Sequence, residues 1–426
     1  MESMVTQRVR PGAGKQNPDQ LAGRACLHVR MPIATDVRAM RNASALQAAG
    51  MDVFVVDMVD RRSHPHDERL GSAKVKHIVI PFLYRRARFK PWFLARFAWF
   101  VLLGAIQLAN TPADVYHACD LKALPACYIA ARLHRKPLVF ETYELPLEDP
   151  EFTRLRWLHA LANRVLTSMM SACAGVIATS PLHTEAMKSR YRGKNLVLVR
   201  NVPAYETPGS SDQLRHHLGL DESTRIALYQ GNLQAGRGLD LLVWAARFLP
   251  PRIVVVIKGE GELQAELNDL ISKEGVGDRV RLLPMVPLAE RLRWTASADV
   301  GLIIHPPGYS RNVQTLLPNK LFEYVMAGVP VLATPLEAVA NIIKRYDVGR
   351  LLTSLEPEAL GQAIGQMLND RDGLQRMRAN ALAAAEHVLR WEVEQENLIR
   401  LYKDILNVQR QDLTAMREGA HTGIPG

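Results

Sequence analysis

Cysteine is scarce. Cys26, Cys119, Cys127 and Cys173 are scattered through 426 residues, and no two form a C-x-x-C pair. A disulfide scaffold and a zinc ribbon are both excluded, and reduced thiols in a cytoplasmic protein are the simplest reading. Residues 1–23, MESMVTQRVRPGAGKQNPDQLAG, hold no apolar stretch of the kind a secretory signal carries, and they read as a disordered tail. No short-period repeat is present. The basic residues build no nucleic-acid reader motif, and the aromatic pattern of an RNA-binding sheet is missing. Acidic residues are short in one half only. Residues 1–210 carry 29 Lys and Arg against 17 Asp and Glu, whereas residues 211–426 carry 24 against 26. The first half therefore suits an anionic partner, of which nucleic acid and anionic lipid are the two classes.

What is present is an ordinary globular balance, 48% hydrophobic and 23% charged, which excludes wholesale disorder. Short apolar runs alternate with segments of helical spacing. The runs are 26-CLHV-29, 53-VFVVD-57, 77-HIVIPF-82, 114-DVYHAC-119, 137-PLVFETY-143, 175-GVIATS-180 and 196-LVLV-199, then 226-IALYQG-231, 253-IVVVIKG-259, 280-VRLLPM-285, 300-VGLIIH-305 and 329-VPVLAT-334. Nearly continuous apolar character marks strands buried on both faces of a parallel sheet. The spacing predicts an α/β chain of two Rossmann-like, doubly wound domains facing across a cleft. The turn-rich stretch 201-NVPAYETPGSSDQ-213 marks the boundary. The expected units are a tail 1–23, a first Rossmann-like domain 24–205, a second 206–390, a helix 391–409 that can return to the first domain, and a tail 410–426. Ligands of open parallel sheets sit outside the carboxyl ends of the strands, so two facing sheets suit a transfer between two substrates.

Two segments carry chemistry. Strand 226–231 runs into 231-GNLQAGRGLDLL-242, where Gly231, Gly236 and Gly238 surround Arg237. Such a turn lets backbone amides approach a phosphate, and Arg237 adds a charged donor. The second segment is 318-PNKLFEYVMAGVPVLAT-334. Pro318 suits a first helical position, Lys320 and Glu323 share one helix face, and Gly328 ends the helix. An exposed pair of this kind contributes only tenths of a kcal/mol. At the carboxyl side of strand 300–305, however, the lysine can meet a diphosphate and the glutamate can accept both hydroxyls of a ribose.

Together these segments resemble the nucleotide-sugar site of GT-B glycosyltransferases, the GT4-like (group 1) retaining family. In the first half, 36-DVRAMRNASALQAAGMDVFVVD-57, 114-DVYHACDLKALPACYIAARLHRKPLVFETYEL-145 and 197-VLVRNVP-203 resemble that family's acceptor domain. The similarity runs over roughly 24–408. The resemblance implies a nucleotide-diphosphate sugar, UDP- or GDP-linked, as substrate, with no cofactor and no catalytic metal. Arg237 and Lys320, with Gly231 and Asn232, would hold the diphosphate. Glu323 would bind the ribose, and Met285 and Val286 the base. His305, Thr315, Leu316 and Leu317 would line the sugar pocket, and two fixed cations would stabilise the leaving nucleoside diphosphate. Three positions depart from the family pattern. Asn232 stands where many relatives carry Arg, Thr315 where the first member of a Glu-x7-Glu pair is expected, and Tyr143 where relatives often carry His. Tyr143 donates a hydrogen bond but is a poor base at neutral pH. Glu144 and Asp120 are the other polar candidates for catalysis, and both also suit the capping of turns.

His117 and Cys119 alternate onto one face of a strand, with no further metal ligand at a suitable spacing. Residues 84–109 place Arg85, Arg86, Arg88 and Lys90 before a mostly apolar stretch containing Trp92, Phe93, Phe97, Trp99 and Phe100. This segment is expected not to span a bilayer, since it joins two strands of one sheet. It suits either an interfacial helix on an anionic leaflet or a helix packed on its own sheet, and 154–172 can extend that surface. The expected activity is sugar transfer to a hydroxyl acceptor, with a lipid-linked or polysaccharide precursor in view. The location would be the cytoplasm or the inner leaflet. A nucleotide-sugar 2-epimerase and a non-catalytic nucleotide-sugar-binding partner are the rival readings.

Overall fold

The computed structural model describes residues 21–60, 67–80, 90–146, 156–191, 195–209, 211–306, 308 and 311–421. The expectations placed on residues 1–20, on Arg85, Arg86 and Arg88, and on 422–426 lie outside the described residues.

The chain forms two sheets. The first contains β1 (Arg24–His28), β2 (Asp52–Val59), β3 (Asp67–Leu70), β4 (Ala73–Val79), β5 (Val115–Ala118), β6 (Leu138–Glu141), β7 (Gly175–Ala178) and β8 (Leu196–Leu198). Its order is β3-β4-β2-β1-β5-β6-β7-β8, parallel except for β3, which runs antiparallel to β4 at the edge. The second contains β9 (Arg225–Gln230), β10 (Ile253–Lys258), β11 (Val280–Leu283), β12 (Val300–Ile303), β13 (Val331–Ala333) and β14 (Gly349–Leu351). Its order is β11-β10-β9-β12-β13-β14, parallel throughout. In each sheet the winding reverses beside the first strand, between β1 and β5 and between β9 and β12. A crevice opens there at the carboxyl ends.

Burial on both faces explains the apolar runs. Along β10, Val254 and Val256 enter one core cluster while Ile253, Val255 and Ile257 enter the other. Alternate residues must then both be apolar, and the period-2 signal disappears. In the first sheet, Leu27 and Val55 pack on one face, with Cys26 and Val56 on the other.

The last helix, Trp391–His421, is longer than the spacing suggested, passing position 409 by a further twelve residues. Trp391, Leu398, Leu401, Tyr402, Ile405 and Leu406 complete the core of the first sheet. Polar contacts fasten the crossing. Trp391 N donates to Pro203 O at 2.8 Å, and Glu394 accepts from Arg200 N and Nε at 2.6 and 2.7 Å. The two lobes also meet directly. Leu145 N donates to Asn312 Oδ1 at 2.8 Å, and the Ser180 hydroxyl donates to the Thr315 carbonyl.

Candidate nucleotide-sugar site

The site starts where β9 ends. Tyr229 precedes the turn, and its hydroxyl donates to Asn232 O at 3.0 Å, which pins the loop. Gly238 is left-handed (φ 68°), and a Cβ there would collide with the Ile304 carbonyl oxygen. Only glycine lets this loop lie against the end of β12. The consequence is that Arg237 reaches His305, donating from Nη1 to Nε2 at 3.1 Å. His305 is buried, and burial together with Lys320 and Arg237 drives its pKa down to about 2. It is therefore a neutral imidazole that accepts from arginine and carries its proton on Nδ1.

Lys320 comes from the helix Asn319–Met326, whose N-cap is Pro318. Pro318 thus precedes the helix rather than opening it. The Lys320 side chain is buried, and its Nζ sits 3.5 Å from the centroid of the Tyr229 ring with no hydrogen-bond partner. Burial, and next the charge of Arg237, hold its pKa well below the usual lysine value, against the opposing pull of Glu323. At Gly231 (φ 131°) a Cβ would stand 3.4 Å from Lys320 Cε and 3.5 Å from Nζ, so glycine leaves the ammonium uncovered on that side. Two cations without an anion between them, one of them desolvated, form an arrangement that a polyanionic ligand relieves.

Glu323 lies on the same helix but does not pair with Lys320. It accepts from Gln230 Nε2 and, at 2.9 Å, from Arg291 Nη1. Gln230 is held in turn by Thr295, whose hydroxyl donates to Gln230 Oε1 at 2.9 Å. Beside this carboxylate is a cavity of about 480 Å³ between the lobes, lined by Arg41, Asn201, Arg291, Thr295, Asn319 and Glu323 among others. A larger cavity of about 720 Å³ around Arg24, Asp52 and Asp114 lies at the amino ends of β1, β2 and β5, the wrong end for a parallel-sheet ligand.

The other expected residues are placed as follows. Met285 and Val286 are half-buried just past β11. Asn232 is exposed on the turn and contributes its carbonyl. Thr315 is buried against the other lobe through its carbonyl, and Leu316 N bonds to Asn312 O at 3.0 Å. Leu317 packs its side chain into the core of the second sheet. Across the cleft the Tyr143 hydroxyl donates to Asp36 Oδ2 at 3.2 Å, and its ring lies 5.8 Å from the Arg38 guanidinium. Burial holds Tyr143 well above the usual phenol pKa and raises Asp36 too. Asp120 accepts from Lys122 N and so caps its turn, and Glu144 is exposed, its carbonyl accepting from Thr142 Oγ1 at 2.6 Å. The structure therefore joins Gly231, Arg237, His305 and Lys320, sets Glu323 in an adjoining network, and leaves Tyr143, Glu144 and Asp120 on the opposite lobe.

Two features escaped the sequence. Lys258, the last residue of β10, is fully buried, and its Nζ lacks a hydrogen-bond partner. It stands in register with Gln230 and Leu283, and burial lowers its pKa to about 8 against the pull of Glu323. A lysine ending an otherwise apolar strand was the available signal. Second, Glu141 joins His117 and Cys119, with ligand atoms within 4.8 Å of one another, where the spacing had shown no third ligand. The cluster fits a cation poorly. Glu141 already accepts from Arg38 Nε and Asn42 Nδ2, each at 2.7 Å, and His117 Nδ1 is bonded to Tyr402 Oη at 2.9 Å. Arg38 supplies the positive charge a metal would bring.

Comparison with known proteins agrees with this geometry. Residues 210–384 match the model described as glycosyl transferases group 1, and residues 36–202 match glycosyltransferase family 4. The chain is 26% identical over 259 residues to D-inositol 3-phosphate glycosyltransferase 1 of Catenulispora acidiphila, covering 58% of each chain. It is 26% identical over 393 residues to the D-inositol 3-phosphate glycosyltransferase of Acidothermus cellulolyticus, covering 87% of this chain and 86% of that one. The match thus spans little more than half of the first relative and most of the second. Among solved structures, sucrose-phosphate synthase from Thermosynechococcus elongatus superposes with a TM-score of 0.74 at 18% identity, over 90% of this chain and 99% of that one. Anabaena HepE in complex with UDP and glucose gives 0.68 at 17%, over 90% and 100%. At such identities the structures establish the fold, two Rossmann-like lobes of the GT-B kind.

Proposed function

Because the chain belongs to the group 1, family 4 glycosyltransferases, we propose that it moves a sugar from a nucleotide-diphosphate donor to a hydroxyl acceptor, with retention and without a catalytic metal. The observation that carries this reading is the buried Lys320 ammonium, without a hydrogen-bond partner and held beside Arg237. The acceptor oxygen bonds to the anomeric carbon as the bond from that carbon to the diphosphate oxygen breaks. The acceptor's proton passes to the leaving nucleoside diphosphate, whose growing charge the two cations meet in place. Glu323, steered by Gln230 and Arg291, offers its carboxylate to the ribose hydroxyls. The UDP in the HepE complex makes a uridine donor the first to try.

A thermal-shift panel of UDP-, GDP- and ADP-linked sugars tests the assignment, since a ligand that binds only the folded chain raises its melting temperature. One donor class is expected to stabilise the protein, and Arg237→Ala and Lys320→Ala each to abolish the effect. A shift that survives in both variants refutes the diphosphate site. The epimerase reading needs acid–base groups around the sugar, whereas the imidazole bonded to Arg237, His305, is held neutral by burial. Product analysis without acceptor separates the two.

A further inference from the structure

The outer surface of the first lobe holds a feature that the donor site does not use. The described residues include eleven large hydrophobic side chains that are exposed, and seven of them lie on three adjoining helices. Helix Lys90–Ala109 presents Trp99, Leu102 and Ile106, with Trp99 54% exposed. Helix Leu124–His134 presents Ile129 and Leu133, the latter 65% exposed, and helix Arg156–Ser171 presents Leu161 and Val165. Each set has a spacing of three or four, so each is one outward stripe of its helix. The first two helices pack closely along one another, and the third joins them. Their inner faces cover the first sheet. Phe100, Ala105, Leu108, Ala126, Cys127 and Leu166 are buried there.

This corrects the simple picture of an aromatic face. Phe100 points inward, while the side chains of Trp92 and Phe93 lie outside the described residues. The exposed stripe is aliphatic apart from Trp99, and it continues across two further helices.

Charge selects the occupant. The three helices contain no aspartate or glutamate anywhere in their sequences. Exposed arginines stand on or next to them, Arg132, Arg135 and Arg164. Surface helices of soluble proteins ordinarily mix both signs. An apolar stripe on helices free of acidic residues, with arginines beside it, matches the boundary between headgroups and acyl chains of an anionic bilayer. No helix among the described residues is long and apolar enough to cross a membrane, so the contact would be interfacial.

We propose that this three-helix face docks the protein on an anionic lipid surface. The proposal does not depend on the donor assignment, because docking needs no nucleotide.

The test is co-sedimentation of the full chain with vesicles of phosphatidylcholine alone and with about 30% phosphatidylglycerol, a composition chosen for its charge. Binding is expected to the charged vesicles at low salt and to weaken as salt rises. Replacing Arg132, Arg135 and Arg164 with serine should weaken it roughly five-fold per arginine. The triple change Trp99→Ser, Leu102→Ser and Ile106→Ser should remove it at any salt concentration. Both variants should keep the parent's melting temperature and donor-induced shift, because every altered side chain is exposed. Failure to pellet with charged vesicles overturns the proposal, and so does pelleting that neither variant reduces. It is overturned equally if the parent forms a dimer in solution that the serine variants dissociate, since the face then belongs to a second copy.

Discussion

A buried lysine without a hydrogen-bond partner is the recurring element of the donor lobe, and among the described residues it occurs twice. Lys320 has Arg237 and a gap at Gly231 to explain it, but Lys258 ends β10, facing Glu323 from the helix Asn319–Met326 and Arg291 from the helix Arg291–Ala296. Burial lowers the folded-state pKa of Lys258 from 10.5 to about 8. Between those values the unfolded chain binds a proton that the folded chain does not, so stability rises with pH across that window. Below it, the buried charge opposes folding by up to about 3 kcal/mol. Lys258→Met is therefore expected to melt higher than the parent at pH 7, with the difference shrinking as the pH is taken from about 8 towards 10.5. A difference that stays constant with pH would falsify the assignment of this group. The residue-scale lesson is that Lys320 stood out from a motif whereas Lys258 hid at the end of IVVVIK, where one polar atom in an apolar run looks like a strand end. Arg38 and Glu141 were illegible for another reason. Their hydrogen bond joins residues 103 positions apart, and no local pattern records such a partner.

At the scale of elements, the loops matter more than the strands they join. The turn after β9 works only because Gly238 adopts φ 68° and lies against the Ile304 carbonyl. Gly238→Ala adds both backbone strain and a collision with main chain, which cannot give way as the end of a flexible side chain can. Each of these effects lies in the range of roughly 1–3 kcal/mol. Chemical denaturation should show a loss of at least about 2 kcal/mol, accompanied by loss of the donor-induced shift, since Arg237 is carried on the same turn. A variant with normal stability and normal donor binding would mean that the loop is not a rigid mount. The twelve runs read from the sequence are all strands here. The two that were missed explain themselves. Asp67–Leu70 is a short charged antiparallel edge, and Gly349–Leu351 is three residues long, so neither is buried enough on both faces to produce an apolar run. The helix Trp391–His421 was cut short at its far end because its final turns carry few apolar residues, although the backbone remains helical.

For the molecule as a whole, the chain crosses between the lobes twice, and the second crossing brings the last helix into the core of the first lobe. Trp391, Leu398, Leu401, Tyr402, Ile405 and Leu406 are all buried in the first lobe although they come last in the chain. Leu401 presses on β7 so closely that a Cβ on Gly175 would meet its Cδ1 at 2.7 Å. Full burial of a large apolar side chain contributes about 1.5–3 kcal/mol. Six of them amount to roughly 10 kcal/mol or more, comparable with the entire net stability of a typical domain. The first lobe is thus incomplete without the end of the chain, and the lobes cannot be treated as independent folding units. Deleting residues 390–426 should leave the second lobe folded, because its two clusters reach no further than Leu389. The first lobe should lose its cooperative transition and become open to proteolysis. Donor binding separates this outcome from general collapse, since Arg237, His305 and Lys320 all lie in the retained lobe. The truncated chain is expected to keep a nucleotide-dependent thermal shift while losing transfer to any acceptor. If it melts as the full chain does, the terminal helix is an ornament on a self-sufficient lobe, and the coupling between the acceptor side and the donor side must be sought in the Leu145–Asn312 and Ser180–Thr315 contacts alone.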